Sequence, residues 1–371
     1  MKTLIYILAL SSMLFATTGN TDLGSCKKCH PTIATEFESS MHKKSSIHED
    51  KVHKAVWDKH PAKAKDNYKC AKCHTPGAKT KEESHAGITC ISCHTITSVE
   101  KHTKANKNIY TNKQKTFYSA EKGKENQKLV YKKTTSWWGN KTTVGSAYHD
   151  IDYTNKDYYS GNICMGCHSH KQNSHKFAVC TTDDRSVTAD KTKDNCITCH
   201  MPKIDGSATT VRISKQHTFH GFAGARVKPE MLKKYVELEF KQGSNGFEIS
   251  VENQAPHNFM SHPLRVVQLR ATIIRGKKHI ALKTENFVKL IGTNGKPSMP
   301  WLATEVVKDT MIKANETRTI KYTDALQSGD VLEVQFGFYI VNQKVLKKLG
   351  LENEAELKEF TVLKSHDYTI K

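Results

Sequence analysis

The chain changes its hydrophobic rhythm near residue 230. From Met231 onward, apolar and polar positions alternate: Val236, Leu238 and Phe240, then Phe247, Ile249 and Val251, with Gly243-Ser244-Asn245-Gly246 between them. A period of two broken by a turn-prone quartet predicts an antiparallel hairpin with one buried face. Comparable runs predict strands over 264–275, 279–291, 316–322 and 331–341, with a short helix over 343–349. Several short strands separated by turn signals point to a β-sandwich over 229–371.

The preceding part lacks that alternation. The segment Pro31–Ser45 opens on proline and spaces Ile33, Phe37 and Met41 by four, which predicts a helix. A second, charged helix carries His48, His53 and His60, expected to be solvated. Residues 95–163 are rich in lysine, threonine and asparagine and read as loop and hairpin, with Trp137 and Trp138 expected to pack inside. The fold class is therefore α+β: a mainly helical, loop-rich domain over 20–228, followed by an all-β, sandwich-like domain over 229–371.

Residues 1–19 stand apart. Lys2, an apolar stretch from Leu4 to Phe15 and the small residues Ala16 to Gly19 have the pattern of a secretory signal peptide. The stretch is short for a membrane-spanning helix, so a tethered, uncleaved form is the lesser reading. The expectation is a periplasmic chain with no integral span after cleavage.

An apolar content of 37% is low for a globular chain. A cofactor with a large apolar ring would supply the missing mass. The formal charge of +20 suggests nucleic acid or membrane surfaces as partners. Carboxylates on such a cofactor offer a better account than nucleic acid.

Ten of the eleven cysteines fall into five Cys-x-x-Cys-His motifs. They are Cys26–His30 with Cys29, Cys70–His74 with Cys73, Cys90–His94 with Cys93, Cys164–His168 with Cys167, and Cys196–His200 with Cys199. Two thiols separated by two residues can add to the vinyl groups of one haem, and the adjacent histidine then sits beneath the iron. A zinc half-site or a redox dithiol does not require a histidine after every second cysteine. The pattern thus predicts five covalently bound haem c groups, with His30, His74, His94, His168 and His200 as iron ligands. The second and third motifs start only 20 residues apart, which predicts that their haems pack together. Cys180 is left over and is expected to be a buried free thiol; a haem-ligand or nucleophile role is the sharper alternative.

A second axial ligand decides between carrier and enzyme, because an iron with two histidines is saturated. The candidates are His42, His149, His220, His102, His257 and His85, with His217 competing with His220. The predicted helix would carry His42 about 18 Å from the first motif, within reach of its own or a neighbouring haem. His257, in Ala255-Pro256-His257-Asn258, would tie the β domain to the haems.

The run Cys-x-x-Cys-His-Pro-x-Ile-x-x-Glu-Phe-x-x-Ser-x-His-x-x-Ser at 26–45 resembles the opening of the cytochrome c554 family of multihaem cytochromes. Gly87-Ile88-Thr89-Cys90 through His94, and Asn195 through Met201-Pro202, are similar to it as well, so the likeness spans about residues 24–225. It implies closely stacked haems with largely bis-histidine ligation and supports His42 as an axial ligand. The expected function is a periplasmic pentahaem cytochrome passing electrons between redox partners, acidic or membrane-bound and quinol-linked, which suits the positive charge left after five haems add about ten negative charges. The alternative is an oxidoreductase acting on a small nitrogen or sulfur compound at one open haem. Enzymes of that family often replace the motif histidine by lysine at the active haem, and no such motif occurs here.

Overall fold

The computed structural model describes residues 23–113, 115–182, 194–260 and 262–371; the expected signal segment lies outside them. Alternation in the C-terminal part produces the expected strands. Val236–Gly243 and Gly246–Asn253 form the hairpin, in register from Val236↔Asn253 to Gly243↔Gly246, and Thr317–Tyr322 pairs on its far side. A second sheet has Val266–Arg275 at its centre, flanked by Val331–Tyr339 and then Thr361–Thr369. The inward faces meet in one core that includes Ile249, Val251, Leu269, Ile273, Val334 and Phe336. Two sheets over a shared apolar layer make a sandwich. The run expected over 279–291 breaks into three strands, Lys278–Ala281, Glu285–Phe287 and Lys289–Thr293, and the last joins a third small sheet. The helix Gln343–Leu349 forms where expected, capped by the Asn342 side chain.

Over both parts together, the described residues hold 22% helix and 32% strand, in many small sheets. The N-terminal part is not mainly helical: short helices such as Pro31–Ser39 and Cys90–His94 alternate with short strands. Its helices are short because each motif supplies only one turn, as in Cys90–His94, capped by Thr89 and Ser92. The longest in that part, Pro31–Ser39, ends before Met41 because Ser40 turns extended (ψ 155°) and is buried. The chain then folds back so that Ile88 N–H donates to the His42 carbonyl at 3.1 Å. Gly87, at φ +67°, makes this approach possible; a Cβ there would stand 2.1 Å from the Lys43 carbonyl oxygen.

Trp137 and Trp138 contradict the expected inward packing. They lie 94% and 85% exposed at the tip of a two-stranded ribbon, Lys132–Thr135 with Lys141–Val144, whose residues face solvent on both sides. Among the described residues the ribbon belongs to no larger sheet, and both its strands are exposed along their length.

The two parts meet along several contacts. The helix Lys51–Asp58 packs Val52, Ala55 and Val56 against Leu346, Leu349 and Leu357. Lys51 pairs with Glu354, and Asn173 donates to the carbonyls of Pro300 and Ala303 at 2.8 and 2.6 Å. Among the described residues, no helix is long and apolar enough to cross a membrane.

Candidate haem sites

Local hydrogen bonding prepares four of the motif histidines. His30 Nδ1 faces the Ala208 carbonyl at 2.8 Å, His94 Nδ1 that of Tyr118 at 2.7 Å, and His200 Nδ1 that of Ala223 at 2.6 Å. His74 Nδ1 faces the Ser45 carbonyl at 3.1 Å. A carbonyl only accepts, so each Nδ1 carries the proton and each Nε2 keeps a free lone pair, as a metal-binding imidazole requires. Burial reinforces this state by disfavouring the imidazolium. It lowers His94, His168 and His200. With the neighbouring His53 as the next cause, it brings His74 to about 4.

Four motif histidines face a second histidine. His30 and His149 have ring centroids 6.2 Å apart, His94 and His220 6.3 Å, His200 and His257 6.3 Å, and His168 and His42 5.9 Å. Metal–imidazole bonds of about 2 Å on both sides, with centroids roughly 1.1 Å beyond the nitrogens, require about 6.2 Å. Two of the distal rings share the proximal pattern: His220 Nδ1 faces the Thr218 carbonyl at 2.6 Å and His257 Nδ1 that of Asn258 at 3.0 Å. Burial, and then nearby histidines, lower His42 to about 3 and His220 to about 4. The donor set and its spacing fit haem iron.

Most of these partners come from far along the chain. His42 crosses from the segment after the first motif to the fourth, and His257 reaches over from the C-terminal part. His217 does not compete with His220. It is buried, with Nε2 at 2.7 Å from Glu36 Oε1 and Nδ1 at 3.0 Å from the Gly206 carbonyl, so both nitrogens are engaged by acceptors. Glu36 also accepts from His220 N–H at 2.8 Å, which anchors the segment carrying that ring.

His85 and His102 are not brought opposite any motif histidine. His85 stacks on His48 at 3.5 Å on the surface. His102 sits in a loop, its Nδ1 accepting from Lys104 N–H at 3.1 Å. His53 and His60 are not simply solvated. His60 packs between Trp57 and Trp301, and His53 lies 4.0 Å from His74. That distance is too short to admit an iron between the rings. His53 Nδ1 donates to the Ser45 carbonyl at 2.9 Å, and its Nε2 is 3.2 Å from the Tyr68 hydroxyl, so its lone pair is in use. Periodicity gave no sign of this, because the short helix turns His53 inward beside Trp57. His262 also approaches this corner; desolvation, then Arg265 and His74, lower it to about 3.

Thiol contacts give the order of the motifs in space. Cys90 meets Cys26, Cys73 meets Cys167, and Cys164 meets Cys196. The second motif makes its thiol contact with the fourth and the third with the first, and Cys73 of the second and Cys93 of the third both neighbour Tyr110. Cys180 is free and half-buried, opposite Lys171 in a small sheet. Burial, and then Cys73, push its thiol up, which disfavours the thiolate a nucleophile needs.

Residues 25–95 match the family model described as "Cytochrome c554 and c-prime". No curated protein matches the sequence. A solved structure, that of a penta-heme cytochrome c552 from Thermochromatium tepidum, has a similar fold: TM-score 0.71, 19% identity, covering 95% of this chain and 100% of that one. With the motifs and the histidine geometry, these findings support a multihaem c-type cytochrome, with covalently bound haem and a role in electron transfer.

Proposed function

We propose that the chain carries five haem c groups and conducts electrons between redox partners in the periplasm. The observation that carries this reading is the set of four histidine pairs at 5.9 to 6.3 Å. The pairs His30–His149, His94–His220, His168–His42 and His200–His257 are assigned as axial ligands of four haems. When bound, haem supplies a reversible one-electron couple whose potential follows its axial ligands and burial. The protein's part is to keep these imidazoles neutral by burial, to orient His30, His94, His200, His220 and His257 through backbone carbonyls, and to exclude water. The thiol contacts link the first motif with the third and the second with the fourth and fifth, and Cys93 of the third motif, an electrostatic neighbour of Cys164 and Cys167 of the fourth, joins the two groups into one path.

A second reading concerns the second motif alone. His74 faces no histidine at the spacing of the other four, and its surroundings are polar: His53, Tyr68, His262 and Arg265. One position of that iron would be open to a small ligand, as in an oxidoreductase. One experiment tests both readings. Mature protein should exceed the bare chain by five haem masses and show low-spin spectra. Carbon monoxide should perturb one haem if the second motif is open and none if all are saturated. Fewer than five haem masses, or high-spin signals from most haems, would refute the wire.

A further inference from the structure

The ribbon Lys132–Thr135 and Lys141–Val144 has no role in holding the proposed haems, yet it is built with care. Thr134 and Thr142 hydroxyls meet at 2.6 Å, and Ser136 N–H donates to the Asn140 carbonyl at 2.8 Å, closing a tip that contains Trp137 and Trp138. Gly145, at φ +74°, pins the root: a Cβ there would lie 2.7 Å from the Val130 carbonyl oxygen. Val130, Tyr131, Val144 and Tyr148 continue the exposed apolar surface downward. Isolated two-stranded ribbons are marginal in water, and two bare indoles on one are a standing cost. Some surface must cover them.

Charge selects it. Between Glu125 and Asp150 the chain has four lysines, Lys128, Lys132, Lys133 and Lys141, and no carboxylate. A second copy of this basic chain, formally +20 and still positive after about ten cofactor carboxylates, would repel this arm. We propose that the arm docks on the surface of an anionic lipid bilayer. Indoles settle at headgroup depth, apolar body inward and N–H toward water, and lysines nearby are drawn to anionic headgroups. The two features occur here on one projection, the indoles at the tip and the lysines behind them. The root leads directly to His149, so docking would turn the His30–His149 site towards the membrane. Only this last consequence rests on the haem assignment; the docking itself does not.

The test is co-sedimentation of the mature, haem-loaded protein with vesicles of phosphatidylethanolamine and phosphatidylglycerol, against vesicles of phosphatidylcholine alone. Binding should favour the anionic vesicles and weaken with added salt. The double variant Trp137→Ser/Trp138→Ser should lose about tenfold in binding, and Lys132→Gln/Lys133→Gln/Lys141→Gln a similar factor. Melting temperature and visible spectrum should stay unchanged in both. These positions are exposed on every side, so folding is not at stake, and the lysine variant gives an independent reading. Three results would overturn the proposal: equal binding by wild type and both variants, a concentration-dependent dimer abolished by the tryptophan substitutions, or an acidic protein partner that needs the indoles while vesicles do not bind.

Discussion

The two halves of the molecule solve burial in opposite ways. The C-terminal sandwich is held by its own side chains: Ile249, Val267, Leu269, Phe336 and Phe338 are wholly enclosed between two sheets. Among the described residues, the N-terminal half buries Ser40, Ser46, Thr75 and His217 beside scattered apolar side chains such as Phe37, Trp57 and Ile96, and forms no apolar cluster as extensive as that of the sandwich. A β-sandwich is stable because apolar area leaves water when its sheets meet. The motif-bearing half would obtain that area from covalently bound haem. One half is a protein core and the other is arranged for a cofactor core; they meet at the Lys51–Asp58 helix and where the His257 ring faces His200.

The largest break in this comparison should come from removing the thioethers. Expression without haem attachment, or Cys90→Ser/Cys93→Ser in an otherwise loaded chain, should leave residues before about 229 open to protease while the remainder stays resistant. Limited proteolysis with mass analysis reads this directly. Equal resistance of both halves would mean that the N-terminal half has a core of its own. The converse is Phe336→Ala in the sandwich, expected to cost about 3–5 kcal/mol because the cavity lies in a packed layer. Its melting transition should fall, with most of the visible spectrum retained.

His257→Ala tests the joint. One haem should turn high-spin and bind carbon monoxide while the sandwich melts almost normally. An unchanged spectrum would place the distal ligand of the fifth site elsewhere. The smallest effect is expected at Asp330, which Arg275 grips with bonds of 2.9 and 2.7 Å. The Arg275 pair first, and then the Gln327 N–H, hold its carboxyl down to about 2 from 3.8. A carboxyl with a lowered pKa contributes stability above its unfolded value and loses it as pH falls through the folded one. Thermal melts between about pH 4 and pH 2 should therefore drop more steeply in the wild type than in Asp330→Asn, and only for the sandwich transition.

Features decided within a few residues of chain were open to sequence reasoning. Thioether chemistry needs five consecutive positions, so each haem motif is legible in isolation, and strand alternation at Val236–Phe240 and Phe247–Val251 foretold the hairpin. Over 279–291 alternation predicts one strand where the fold makes three, because apolar alternation does not show where a chain turns between sheets. Trp137 and Trp138 project for a related reason: composition cannot tell a ribbon that packs from one that stands out.

What the tertiary structure alone decided is which distant imidazoles face each other. His42 could have met any nearby site; the extended turn at Ser40 and the close approach at Gly87 send it to His168. His85 and His102 had the same side chain and comparable positions beside a motif, yet one stacks on His48 and the other accepts a loop N–H. Pairing across more than a hundred residues depends on how separate segments dock, and docking is set by summed contacts that no short window of sequence contains.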